Sequence, residues 1–176
     1  MKTRTVVVLL LALIGWIPDV PADVMAATDN VRILFSRNRS VSDVKGGSIG
    51  EKLAAFEPSV KITNGSFRGF TGNRACVILM GEDATRKDNW RVIFRREFEF
   101  DLPASKTHEW IGEPFEQGFD RTMVKSGYDY DGYIVLIRNS DGKIVQSAAT
   151  KAFWIGDLEK AWSLQEGNDY PKLHFR

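Results

Sequence analysis

From Pro58 onward, apolar and polar residues alternate with period two between frequent turn residues, the pattern of half-buried β-strands. Val60 and Ile62 alternate with Ser59, Lys61 and Thr63, and Asn64-Gly65 then marks a turn or bulge. Ala75-Cys76-Val77-Ile78-Leu79-Met80 breaks the alternation. This continuous apolar run, bounded by Gly72-Asn73 and Gly81, predicts a central strand covered on both faces. Trp90 to Phe94 and Phe98 to Leu102 form a further pair, with Arg95-Arg96 as a bend or bulge between them. In the second of these, Phe98, Phe100 and Leu102 alternate with Glu97, Glu99 and Asp101, so the carboxylates share a solvated face.

His108 to Phe115 predicts a weaker strand, since Pro114 favours an edge or a strand end. The strongest hairpin follows. Tyr128 to Arg138 and Lys143 to Ala149 flank Asn139-Ser140-Asp141-Gly142, whose Asp-Gly step suits a tight turn needing positive φ. Tyr133, Val135 and Ile137 fall on one face of the first strand, Ile134 and Leu136 on the other, so it too is expected to be central. One helix of about eight residues is expected near the end, with Asp157 as its N-cap and Gly167 as its stop. Leu158, Ala161, Trp162 and Gln165 give it an apolar stripe that must dock on the sheets, because so short a helix is marginal alone.

These elements predict an all-β fold: an immunoglobulin/fibronectin-III-like β-sandwich of about seven strands with one short C-terminal helix, over residues 49–176. The phrase Gly127-Tyr128-Asp129-Tyr130-Asp131-Gly132-Tyr133-Ile134-Val135, followed by Asp141-Gly142-Lys143-Ile144-Val145, resembles the last hairpin of uncharacterised exported bacterial sandwich proteins. The order of elements is similar to a fibronectin-III-like sandwich. The resemblance covers that hairpin alone and brings no site residues with it. The Cys–Trp–Cys pattern of immunoglobulin domains is excluded by the single cysteine, Cys76, which reads as a buried inert thiol.

The N-terminus reads differently. Lys2 and Arg4 precede the apolar run Val6 to Ile17, Pro18 and Pro21 break it, and Val24-Met25-Ala26-Ala27 supplies small residues for cleavage after Ala26 or Ala27. Residues 1–26 are therefore expected to be a secretory signal peptide, and the mature chain to be secreted or periplasmic. The run is too short to span a bilayer as a helix, so no stable membrane span is expected once the leader is gone. Residues 27–48 are expected to be a flexible lead and linker, with Val31 to Phe35 either docking as a strand or staying loose. Ser36 to Ser48, rich in Ser, Arg, Asn, Asp and Gly, reads as loop.

Composition narrows the chemistry further. The net charge of +1 offers no basic field for nucleic acid. The two histidines, His108 and His174, lie far apart in sequence, and no Cys/His cluster, nucleophile-elbow or phosphate-binding glycine loop is present. The acids Glu97, Glu99 and Asp101 share an ordinary exposed face, which leaves a hydrolase as the last of the readings. A non-catalytic binding module is expected instead, for a polysaccharide or an envelope protein. Tyr128, Asp129, Tyr130 and Asp131 carry the densest suggestive chemistry: rings stack on sugar faces while carboxylates accept hydroxyl hydrogens. Asp129 and Asp131 also suit calcium, the one cofactor considered, though the stretch lacks the full EF-hand pattern. The plainer alternative is the start of a strand, with the tyrosines packed and the aspartates in water. Trp110 and Trp154 lie in less regular sequence and are candidates for ligand stacking or for packing under loops. The competing role is assembly, in which an edge strand such as Val31 to Phe35 pairs with a partner by β-augmentation.

Overall fold

A computed structural model of the chain describes Met25 and residues 29–43, 51–120 and 126–175. The expected leader lies outside the described residues except for Met25. Among those residues are nine strands and one short α-helix: β1 (Val31–Asp43), β2 (Glu51–Asn64), β3 (Phe70–Asp83), β4 (Asn89–Leu102), β5 (Thr107–Ile111), β6 (Phe115–Asp120), β7 (Ser126–Arg138), β8 (Ile144–Ala149), α1 (Leu158–Trp162) and β9 (Asp169–Pro171). The protein is an all-β sandwich. One sheet runs β8-β7-β3-β4-β9, the other β1-β2 with β5 and β6 along the far side of β2, and every pairing is antiparallel. The sheets join where Phe119 and Asp120 of β6 pair with Gly127 and Ser126 of β7.

The central position of β3 and β7 follows from their two-faced apolar content. Val77, Val135 and Ile137 face the second sheet, where they meet Val60 and Ile62 of β2, alongside Phe70, Phe100 and Leu102 of their own sheet. Cys76, Ile78, Met80, Ile134 and Leu136 face away, under a cap built from the C-terminal segment. The cap consists of α1 and two 3-10 helices, Ala152–Ile155 and Lys172–Phe175, and it presses Trp154, Ala161, Trp162 and Leu164 onto the sheet. Sheet, sheet and cap thus form three layers around two cores. Burial pushes the Cys76 thiol up to about 12, so the thiolate is suppressed at neutral pH.

The strand count exceeds the expected seven for specific reasons. Ser36 to Asp43, read from composition as loop, continues β1, which pairs with β2 along its whole length. Val31, Ile33 and Phe35 turn inward on alternate positions, and Arg32 and Leu34 between them face water on an edge strand. His108 to Phe115 divides at Gly112-Glu113-Pro114 into β5 and β6, which pair with different halves of β2. β9 adds three residues to the β4 edge. The helix begins at its expected cap, the Asp157 carboxylate accepting from the Lys160 amide at 3.0 Å. It is shorter than expected and ends at Trp162, with Ser163 as its C-cap.

Candidate functional site

β7 carries the four-residue cluster that the sequence singles out, and its neighbours already engage each member. Tyr128 donates to the Asp169 carboxylate at 3.0 Å, and the Arg91 guanidinium lies 4.2 Å from the Tyr128 ring centroid. Arg91 also donates to Asp169 at 2.7 Å and, against the effect of partial burial, holds that carboxyl below its usual range. Burial first, and the hydrogen bond to Asp169 second, raise the Tyr128 phenol. Asp129 pairs with Arg39 of β1 at 3.2 Å. The Arg37 guanidinium sits 3.6 Å from the Tyr130 ring centroid, and the Phe56 ring centroid lies 5.6 Å from the same ring. Burial raises the Tyr130 phenol despite the nearby Arg37 charge.

Trp110 belongs to the same inter-sheet neighbourhood. It is half-buried, lies parallel to Phe98 with centroids 4.8 Å apart, and packs with Tyr128 and Tyr130 against Leu79, Ile93 and Phe94. Asp131 and Trp154 lie elsewhere, at the join between β7 and the cap. The Asp131 carboxylate accepts from Trp90 Nε1 at 2.6 Å and from Lys151 Nζ. Lys151 stands over the Trp90 and Trp154 rings at 5.0 and 5.3 Å. Trp154 itself is 1% exposed, and its Nε1 is buried without an acceptor. A side chain at Gly132 would collide with Thr150 and with the Trp154 ring at under 3 Å, so glycine there is what lets the cap close on β7. The six candidates therefore divide in two: Tyr128, Asp129, Tyr130 and Trp110 near one mouth of the sandwich, Asp131 and Trp154 beneath the cap.

Trp154 also lines a groove of about 350 Å³ between the cap elements, with Phe153, Gly156, Asp157, Lys160, Ala161 and Phe175. Phe153 is 39% exposed there, and its ring approaches Trp90, Trp154 and Phe175 at 5.5–6.0 Å. His174, beside Phe175, is made less basic by burial and by the Lys160 charge, and its Nε2 has no partner. Phe153, Lys160 and Phe175 were not singled out by sequence reading. The available signal was the aromatic pairs Phe153-Trp154 and His174-Phe175 on either side of the short helix.

The outward acids of β4 are likewise occupied. Glu97 meets Arg95 and Arg74, Glu99 meets Arg74 at 3.0 Å, and Asp101 accepts from the Gly72 amide at 2.9 Å. Asp129 and Asp131 each face a protein cation, and among the described residues no group of three or more His, Cys, Asp or Glu could hold a metal ion. Among those residues, too, no helix is long and apolar enough to cross a membrane.

No protein-family model matches the chain, and no curated protein is similar to it in sequence. Solved structures give weak likenesses. A Northeast Structural Genomics Consortium target, SoR45, is 10% identical with a TM-score of 0.37, over 68% of this chain and 84% of that one. A protein from Akkermansia muciniphila is 16% identical with a TM-score of 0.30, over 80% of this chain and 81% of that one. The GH3 beta-glucosidase of Bifidobacterium adolescentis is 14% identical with a TM-score of 0.23, over 67% of this chain and 17% of that one. At TM-scores below 0.5 these likenesses assign neither family nor function.

Proposed function

We propose that the protein is an exported, non-catalytic binding module whose ligand is a sugar ring of a polysaccharide, held in the groove of the C-terminal cap. One observation carries the reading: an aromatic-walled groove of about 350 Å³ that also offers a carboxylate, Asp157, and an ammonium, Lys160. Aromatic faces cover the apolar side of a pyranose while charged groups bind its hydroxyls. The volume falls in the range of small-ligand pockets, roughly 300–1,000 Å³. Export rests on the charged start, apolar run and small residues of the first 27 positions.

The test is a glycan array with the exported chain, followed by titration of tryptophan fluorescence with any glycan that binds. Phe153→Ala and Lys160→Ala should each weaken binding at least about tenfold, which is 1.4 kcal/mol. Tyr130→Ala, away from the groove, should not. A folded protein that binds no glycan would sink the proposal.

A second reading has its own observation. β1 is a 13-residue strand at the outer edge of its sheet, with Leu34 63% and Val41 49% exposed. Such an edge suits pairing with an envelope protein by strand addition. Leu34→Lys and Val41→Lys should then abolish capture of that partner without disturbing glycan binding.

A further inference from the structure

Met25 precedes every strand, yet it is 1% exposed and packs among Val60, Ile62, Phe70, Val77 and Val135 between the sheets. Its carbonyl accepts a hydrogen bond from Asn139 Nδ2 at 2.9 Å. Asn139 is buried, and its Oδ1 accepts from the amides of Asp141 and Lys143. One side chain thus closes the β7–β8 turn and grips the chain 114 positions upstream. Nearby, the Asp29 carbonyl accepts from Gln146 Nε2 at 3.3 Å, and the Asn30 carbonyl from the Gly65 amide at 2.7 Å.

A cut after Ala26 or Ala27 would remove Met25. It would leave a void between the sheets and strand the Asn139 amide without its acceptor, two named routes to instability. Upstream, Val20-Pro21-Ala22 offers an alternative: a small residue at the bond, a short aliphatic two places before it, and Pro18 ending the apolar run just ahead.

We propose that the leader is removed by hydrolysis of the Ala22–Asp23 peptide bond, so that Met25 stays in the mature chain as the plug of the inter-sheet core. Water adds across that bond under a membrane signal peptidase, leaving a carboxylate on Ala22 and an ammonium on Asp23. The proposal rests on the export reading above.

The test begins with the full chain expressed in a bacterial host, the exported fraction being purified and its intact mass and N-terminal sequence determined. The expected product starts at Asp23, and any other start overturns the proposal. A start at Ala27 or Thr28, or retention of residues 1–22, does so while leaving export intact, whereas absence of the chain from the exported fraction removes export as well. Ala22→Trp should block processing, while Ala26→Trp with Ala27→Trp should not; the reverse result assigns the cut to the later bond. The plug is tested separately. Met25→Ala should lower the thermal midpoint of the exported protein by about 5–15 °C. Met25→Leu, close in volume, should hold it within a few degrees. A Met25→Ala midpoint equal to that of the parent overturns the plug.

Discussion

Neighbouring residues of β3 enter two cores of different construction. On the inter-sheet side, Val77 meets Val60, Ile62, Phe70, Phe100 and Leu102, medium-sized and aromatic residues presented at regular intervals by long strands. On the cap side, Ile78 and Met80 meet Trp90 of β4 and, from the cap, Trp154 and Trp162, large rings held by short and irregular backbone. Strands supply many aligned positions, so each residue there contributes modestly and its neighbours share the burial. A helix of five residues and two 3-10 helices supply few positions, so each anchor must be large. The same protein therefore contains a core of distributed contacts and a core that depends on a few rings.

The widest separation between the two should come from paired core substitutions. Trp154→Ala is expected to cost about 3–5 kcal/mol, and Ile62→Val on the other side about 0.5–1.5 kcal/mol. Urea denaturation gives both values, and limited proteolysis should place the first new cuts of Trp154→Ala within 150–175. Equal costs would erase the distinction between the cores. A middle-sized effect belongs to Asp83, buried at the end of β3. Burial alone would raise its carboxyl, but the Thr85 hydroxyl and the amides of Thr85 and Arg86 outweigh it and hold the group well below the usual carboxylate range. Asp83→Asn should cost about 1–3 kcal/mol at neutral pH. Because the folded carboxyl is more acidic than an unfolded one, at about 3.9, its contribution is present above that pH and is lost as pH falls through the folded value. Stability measured against pH should lose this acid-side dependence in Asp83→Asn. The smallest effect is expected at Lys61–Glu109, a pair 3.2 Å apart linking β2 to β5 with both side chains about half exposed. Lys61→Ala should change stability by about 0–1 kcal/mol, and salt should narrow even that.

The inter-sheet side was the more legible from sequence, for the same reason that it is the more distributed. Period-two alternation at Val60 and Ile62, and at Phe98 to Leu102, reports directly which residues turn inward. The run Ala75–Met80 reports a strand covered twice, and the split of Val135 and Ile137 from Ile134 and Leu136 follows the same logic. β1 was partly hidden because Ser36 to Asp43 owes its strand to pairing with β2, while its own residues favour loops. The cap was hidden except for Asp157 and the stripe of α1, because 3-10 helices leave no long period to read. The site shared that fate. Tyr128 to Asp131 stand out in sequence, yet their partners Arg91, Asp169, Arg37, Arg39 and Trp90 come from other strands and Lys151 from the start of the cap, and no spacing encodes such meetings.

The position of the cap along the chain has a consequence for how the molecule is made. Ala152 to Phe175 lie C-terminal to β3, β4, β7 and β8, so a ribosome delivers the sheet before its cover. Until those residues emerge, Ile78, Met80, Trp90, Ile134 and Leu136 form a bare apolar face on a nascent chain. Ribosomes stalled short of Ala152 would display a sticky half-product, and a holding chaperone would find its binding face ready-made.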